Sequence, residues 1–461
     1  MHPRHLVQQR LRDEQGRLDR DAQHRLALAA HRVFAADEPG ARSLPDLTYE
    51  SGLSPNAFAV VAFSIAYELE LGELLGMLAR ADIPVLRGQR RRSDPLVLAG
   101  GPLTFGNAEP LGPFVDAVVV GEADGLVLDV LRAAHGSGDR SERLERLAQI
   151  EGVWVPSVHG GELPEPACAD DAMLPAWGPI RTPHTELRNM FLVEATRGCS
   201  RGCSYCVMRR RQGQRGMRVV PADRVLDAIP SDAARVGLVG ASVSDHPHIA
   251  EIVSNLADRG VHVGLSSMRA DRLDEPLVRA LRRAGYRTLT TAMDGASERV
   301  RALVDRKTTE AQLMAVAGCA REAGIERLKL YLMVGLPGEQ DDDIDACAAF
   351  VRELSRVIPV SLGVSAFCAK RGTPLDGSPF AGVDIVERRL IRLRRGLAGR
   401  ADVRATSARW AWVEHVIAQG GAAEGRAVLE AVRAGGRFAA YRRAFEALGH
   451  TPSRRGARAR G

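Results

Sequence analysis

Three cysteines, Cys199, Cys203 and Cys206, crowd into eight residues of a 461-residue chain, within the segment EATRGCSRGCSYC. Thiolates so close in sequence can wrap one face of a cubane cluster, because soft sulfur ligands favour iron-sulfur clusters and zinc. A [4Fe-4S] cluster held by three cysteines keeps one iron without a protein ligand, and a small molecule can bind and react there. A zinc knuckle would want a fourth Cys or His at short spacing for a closed tetrahedral site, and none follows before His246. Gly198 and Gly202, with the position after an apolar run, argue against three unrelated buried thiols. The other four cysteines have no matching spacing, and Cys319 and Cys347 fall in helical patterns and read as buried free thiols. Cys168 is the candidate for an extra ligand or a catalytic thiol.

The elements that position the triplet are legible from hydrophobic periodicity. Six apolar strand candidates recur after residue 188: NMFLVEATR, RVGLVGAS, HVGLSSMR, RTLTTAMD, RLKLYLMVG and PVSLGVSAF. Amphipathic stretches such as HIAEIVSNLADRG and EPLVRALRRAG separate them. Alternating strands and helices predict an α/β protein with a partial, TIM-like (β/α)6 barrel, its site at the carboxyl ends of the strands. The cysteines follow the first strand. Gly240, Ala241 and Ser242 follow the second, Ser266 and Arg269 the third, AMDGASERVR with Glu298 the fourth, and GLPGE with Gly335 and Pro337 the fifth.

Earlier in the chain, VVAFSI, ELELGELLGMLARA, PLVLAGGP and DAVVVGE read as strand, helix, strand and strand, a small Rossmann-like parallel sheet covered on both faces. Ser64, Gly100 and Gly101 stand where its strands end, a place where ligands commonly bind and where a tight turn needs the same glycines. The expected organisation is a charged helical arm over 1–45, the Rossmann-like domain over 46–150, a Pro- and Gly-rich linker over 151–188, the barrel over 189–400, and a helical C-terminal region with a disordered basic tail over 401–461.

Composition narrows the class. The 45% hydrophobic content fills at least two cores, and the net charge of +6 arises from 63 basic against 57 acidic residues. No run of about 18 uncharged apolar residues occurs and the N-terminus lacks a signal-peptide core, so a cytoplasmic protein without membrane partners is expected. Seven cysteines with three clustered suit a reducing compartment. Aromatics at 5% give little for a single-stranded nucleic-acid platform, so nucleic acid is not the expected partner. The run MRRRQGQRGMR after the cysteines reads as a solvated loop that can also draw an anionic substrate.

C-x-x-x-C-x-x-C with the aromatic Tyr205 before the last cysteine resembles the radical S-adenosylmethionine (radical SAM) signature, and the likeness extends over residues 190 to 370. The resemblance implies that Cys199, Cys203 and Cys206 hold a [4Fe-4S] cluster, that the amine and carboxylate of SAM chelate its open iron, and that one electron cleaves the sulfonium to methionine and a 5′-deoxyadenosyl radical. A reductant such as flavodoxin or ferredoxin is the implied partner, and the substrate is unknown. Tyr205, Gly240, Ser242, Ser266, Arg269, Glu298, Gly335 and Pro337 become the implied SAM-binding positions, with Arg269 toward the SAM carboxylate, Ser266 toward the ribose and GLPGE near adenine.

The order of domains, with AGGPLTFGNAEPLGPFVDAVVVGEAD, LSSMRAD and VEHVIAQGGAAEGRAVLEAV, is similar to radical SAM proteins with a B12-binding domain. That subgroup implies cobalamin as a further cofactor and methyl transfer as a reaction, with Ser64, Gly100 and Gly101 as the candidate cobalamin face or, alternatively, a substrate or partner surface. No D-x-H-x-x-G motif occurs in the first 180 residues, and the N-terminal domain reads as shortened. A methylthiotransferase would need an additional N-terminal cysteine cluster, and none is present. A degenerate paralogue that binds SAM or a cluster without turnover, as a regulatory module, is the alternative from a different class.

Overall fold

Strand and helix follow the sequence patterns closely in the computed structural model, which describes residues 46–453 apart from 49, 184–185, 210–215 and 267. The expected arm 1–45, the tail from 454 and most of the basic run after the cysteines lie outside the described residues. Two compact units divide the rest: residues up to Met173 with Val416–Thr451, and Leu174–His415 with 452–453.

In the first unit, strands β1 (Val60–Ser64), β2 (Leu96–Gly100) and β3 (Ala117–Val119) run parallel, and β4 (Val153–Trp154) closes the edge antiparallel to β3. Leu96 and Leu98 of β2 meet Val130 and Ala134 of helix α2 (Val127–His135) and Leu147 of α3 (Arg140–Ala148), while α1 (Glu70–Arg80) buries its Leu71, Leu74, Leu75 and Leu78 stripe. A sheet covered this way needs the continuous apolar run that β2 supplies. Its strand order is 1-2-3-4 without reversal, so the described strands make no switch-point crevice of the doubly wound kind.

Two expected boundaries move. The segment 151–188 is not a free linker: Val153–Trp154 joins the sheet, Ala167 bridges Gly121, and Trp177 bridges Val193 in the second unit. The division falls at Met173 because each half of the segment finds a strand edge to pair with. The C-terminal region is also divided. Ala401–Ala405 is a strand of the second unit, whereas Val416–Thr451 packs with the N-terminal sheet domain. Buried Asn107 fixes that return by donating Nδ2 to the carbonyls of Ala418 at 3.0 Å and Gly420 at 2.7 Å, which would otherwise end a helix unpaired.

All six strands expected in the second unit form. β5 (Phe191–Glu194) pairs in parallel with β8 (Arg235–Val239), and β8 with β9 (His262–Leu265). β10 (Thr288–Asp294), β11 (Arg327–Val334) and β12 (Val360–Ala366) continue in parallel to a seventh strand, β13 (Ala401–Ala405). Between β5 and β8 a short antiparallel pair, β6 (Thr196–Arg197) with β7 (Arg218–Val219), closes the base of the cysteine loop. The strands therefore form separate three- and four-stranded parallel sheets rather than one continuous barrel wall. The break at β9 has a local cause: Leu265 N donates to the Tyr286 hydroxyl at 2.5 Å and Val263 N to the Ala284 carbonyl at 3.3 Å, where a neighbouring strand would otherwise pair.

Helices lie between the strands as the periodicity predicts: α4 (Ala222–Asp227), α5 (Ile249–Asp258), α6 (Glu275–Arg283), α7 (Glu298–Leu303), α8 (Glu310–Glu322), α9 (Asp341–Leu354) and α10 (Val383–Gly396). Their starts are written in the sequence. Asp274 caps α6 through Leu277 N, Ser297 caps α7 through Val300 N, and Thr309 with Gln312 forms a capping box on α8. β11 shows the complementary rule: Leu328, Leu330, Leu332 and Val334 are buried, and Lys329 and Tyr331 between them are not.

Candidate functional site

The loop closed by β6 and β7 carries the three thiols into a cavity of about 330 Å3, at the carboxyl ends of β8, β9 and β10. Cys199, Cys203 and Cys206 all line it, with Tyr205, Ser242, Ser266 and Arg269, so seven positions expected from sequence meet in one place. That volume lies in the range of small-molecule sites. Burial pushes the Cys206 thiol up to about 11 and raises Cys199 as well, so these two thiols stay protonated at neutral pH when unliganded.

Backbone and side-chain bonds hold the loop from the segment after β10. Ser204 N donates to Val304 O at 3.0 Å, Ser204 Oγ to Asp305 Oδ2 at 2.5 Å, and Tyr205 OH to Asp294 Oδ2 at 2.7 Å. Tyr205 also packs against a small core of Val300, Val304, Leu336, Phe367 and Ala369. Asp294 and Asp305 take left-handed φ values of 65° and 54°, strained for residues other than glycine and retained where surrounding contacts fix them. Neither aspartate was marked by sequence spacing. Their signal is conformational and appears only once β10 and α7 are folded.

Arg269 is engaged more heavily than the sequence suggests. Its Nη1 donates to both Asp245 oxygens at 2.8 and 2.6 Å, and its Nη2 to Asp271. Ser200 Oγ reaches Asp245 at 2.7 Å and Arg201 Nη2 reaches Asp271 at 2.7 Å, so this network ties the cysteine loop to the ends of β8 and β9. Ser266 Oγ donates to Gly240 O at 3.0 Å and accepts from Gly240 N at 3.2 Å. Gly240 is required: a Cβ there would stand 2.4 Å from both the carbonyl and the hydroxyl oxygen of Thr196.

The remaining expected positions stand elsewhere. Glu298 is the exposed first residue of α7, accepting from Glu310 N at 2.7 Å. Gly335 and Pro337 do not line the cavity; their turn is held by Glu339, whose Oε1 accepts from Gly335 N and from Arg389 Nη1, each at 2.8 Å. In the first unit, Ser64 pairs with Gly100 across β1 and β2, and a Cβ at Gly101 would lie 2.7 Å from Ile65 O. The glycines there serve a close backbone approach. Cys168 is exposed in the first unit, Cys347 is fully buried, and Cys368 donates to Ala411 O at 3.1 Å.

Glu339 yields a pH prediction. Burial pushes its carboxyl up to about 7, against the Gly335 N–H and the Arg389 guanidinium, and its Oε2 is buried without a hydrogen-bond partner. An unfolded glutamate titrates near about 4.3. The folded chain therefore binds the extra proton, and the stability it contributes is full below about pH 4 and lost as pH rises through about 7. Urea midpoints of the wild type should fall across that window, and Glu339→Gln should flatten the profile. A wild-type midpoint unchanged from pH 4.5 to 7.5 would contradict the assignment.

The donor set tests which group the cavity suits. Among the described residues neither a histidine nor a fourth cysteine lines it, and His246 is committed to Val220 O at 2.7 Å and His248 N at 3.0 Å. Three thiols without a fourth ligand suit a cluster with one open iron better than closed zinc. Ser242 Oγ and Arg209 Nε line the same cavity, buried and without hydrogen-bond partners among the described residues. Groups of that kind are costly unless a ligand completes them. They fit the carboxylate, amine and ribose hydroxyls of SAM.

Comparison with known proteins agrees with the geometry. Residues 22–156 match the family model described as radical SAM proteins, N-terminal, and residues 193–351 that of the radical SAM superfamily. The chain is 29% identical over 309 residues to an uncharacterised protein of Methanocaldococcus jannaschii, spanning 63% of this chain and 64% of that one. It is 28% identical over 187 residues to the ribosomal protein uS12 methylthiotransferase RimO of Desulfosudis oleivorans, covering 37% of this chain and 41% of RimO. The match thus spans less than two thirds of either relative. Among solved structures, the radical SAM methyltransferase TsrM of Kitasatospora setae, with cobalamin and a [4Fe-4S] cluster bound, aligns at 16% identity and a TM-score of 0.49 over 74% of this chain and 68% of that one. Because the second family match begins at β5 and runs through the very loop that carries the three thiols into the cavity, this chain belongs to the radical SAM superfamily.

Proposed function

We propose that this protein cleaves SAM reductively and uses the resulting radical to modify a substrate admitted beside Tyr331. The observation that supports this most directly is the single cavity that joins three thiols lacking a fourth ligand to two buried donors, Ser242 Oγ and Arg209 Nε, lacking partners. When bound, a [4Fe-4S] cluster supplies one electron and an open iron for the amino acid end of SAM. The chain's residues do the rest. Cys199, Cys203 and Cys206 hold the cluster, Ser242 and Arg209 orient SAM, and the Arg269–Asp245–Asp271 network fixes the loop so that the two meet. Tyr331 lines the cavity while 46% exposed, and its ring lies over Gly363 of the next strand with Lys329 Nζ 4.8 Å from its centre. It is the wall on which a substrate can rest. A flavodoxin or ferredoxin is the electron donor in this reading.

No helix among the described residues is long and apolar enough to cross a membrane. Cobalamin, which the sequence resemblance implies, has Ser64, Gly100 and Gly101 as its expected face, where Gly101 lets the chain approach the Ile65 backbone closely. No step is assigned to it.

Anaerobic reconstitution with iron and sulfide, followed by SAM and a low-potential reductant, should yield 5′-deoxyadenosine. Ser242→Ala should weaken SAM binding about fivefold, the worth of one hydrogen bond of ~1 kcal/mol. S-adenosylhomocysteine with a methylated product would instead identify methyl transfer, and binding of SAM without turnover would identify a regulatory module. Failure of the wild type to hold any cluster would refute the proposal.

A further inference from the structure

Arg306 was marked by nothing in the sequence, yet it stands in the cavity wall beside the cysteines. Its side chain is 10% exposed and that of Asp294 is 16% exposed, with Arg306 Nε 3.0 Å from Asp294 Oδ2. Arg306 Nη2 donates to Ala292 O at 2.9 Å, and Arg306 shares the cavity wall with Cys199, Cys203 and Cys206. Burial works against its charge, but the Asp294 carboxylate, Tyr205 and Cys203 outweigh that and hold Arg306 above its ordinary value. An ion pair that served only to pin the chain would not need to line the cavity that holds the three thiols.

We propose that Arg306 and Asp294 form an opposed charge pair that sets the reduction potential of the cluster bound by Cys203. The inference rests on the cluster assignment of the preceding section. Reduction adds one electron and no proton, so it deposits one negative charge on the cluster and its sulfur ligands. A guanidinium in the wall beside those sulfurs favours that charge, and the carboxylate paired with it opposes it. Both side chains are largely shielded from water, so solvent screens them little. Asp294 neutralises Arg306, which means that removing either partner uncovers the other. The two single substitutions must therefore move the potential in opposite directions.

The test is a reductive titration with titanium(III) citrate, without SAM, read by absorbance and electron paramagnetic resonance. Arg306→Gln should cut the reduced-to-oxidised ratio at the wild-type midpoint about tenfold, equal to about 59 mV for one electron. Asp294→Asn, which keeps an acceptor for the Tyr205 hydroxyl, should raise that ratio. The double variant should return close to the wild-type curve, and Arg306→Lys should stay near it. Simple loosening of the loop would move both single variants the same way. That outcome, or unmoved potentials in proteins with full iron content, overturns the pair. If Arg306→Gln binds no iron, the sign of the Asp294→Asn shift decides alone, and iron loss from every variant reduces the pair to a structural role and overturns the proposal. A wild type without a cluster defeats the underlying reading and this proposal together, whereas a loaded wild type that fails to cleave SAM still permits the titration.

Discussion

Cys203→Ala, reconstituted anaerobically, is expected to fold and to lose the cluster, with SAM cleavage falling to background. Cys203 is the most buried of the three thiols, and its neighbours Ser204 and Tyr205 are fastened to Asp305 and Asp294. The loop is thus held by contacts that do not pass through the Cys203 sulfur, and the alanine variant keeps them. What it loses is one of only three ligands. Removing a mere supporting partner of a metal ligand typically costs about 10–100-fold in affinity or activity, so loss of the ligand itself should exceed that range. Iron and sulfide content, with the visible absorbance of the cluster, measure the first effect, and 5′-deoxyadenosine the second. Cys168→Ala, at an exposed position in the first unit, should retain iron and activity. Full iron in Cys203→Ala, or its loss in Cys168→Ala, would contradict the assignment of ligands.

Asp116→Ala is expected to destabilise the first unit by about 3–5 kcal/mol, the usual cost of leaving a buried charge without its partner. Asp116 Oδ2 alone meets Arg90 Nη1 at 2.9 Å, Arg140 Nη2 at 2.7 Å and Val97 N at 2.8 Å. Burial lowers the pKa of Arg90, which means that its charge is tolerated there largely through Asp116. The Arg90 side chain is fully buried, and its other bonds run to the carbonyls of Pro84, Val85 and Phe114. Truncation therefore strands the Arg90 guanidinium and the Val97 amide, and leaves Arg140 only its bonds to backbone carbonyls such as Asp94 O and Pro95 O. Urea unfolding followed by fluorescence of Trp154, buried in β4 beside β3, reads this unit locally. Arg90→Met combined with Asp116→Ala should recover much of the loss, because no buried charge at residue 90 then lacks a partner. A change below about 1 kcal/mol in the single variant would show that the network is not supporting the sheet.

Both predictions concern residues whose importance was unequally visible in the linear chain. Cys203 announces itself through local spacing, since a cluster loop is a short-range motif. Asp116 sits in the unremarkable run PFVDAVVV, and its partners lie 26 and 24 residues away. The same contrast runs through the site. Ser242, Ser266 and Arg269 could be anticipated because they end strands whose apolar runs are plain, and strand ends on one side of a parallel sheet converge. Glu298, Gly335 and Pro337 end strands too, yet the first faces solvent and the others serve a turn that Glu339 and Arg389 secure.

The sequence by itself determined the three-thiol loop, the alternation of strands and helices that presents it, and the radical SAM affiliation, because each is carried by neighbours within a few turns of chain. Tertiary structure alone decided four things: the break between β9 and β10, the return of Val416–Thr451 to the N-terminal sheet, the separate holds of Asp294 and Asp305 on the cysteine loop, and the place of Arg306 in the cavity wall beside the cysteines. The break rests on side-chain and loop contacts only 21 residues apart, which strand periodicity does not display, and the other three share one physical reason. A hydrogen bond or ion pair between residues about 100 or more positions apart leaves no periodicity in the chain, and a left-handed aspartate looks like any other until the contacts that impose its φ are in place.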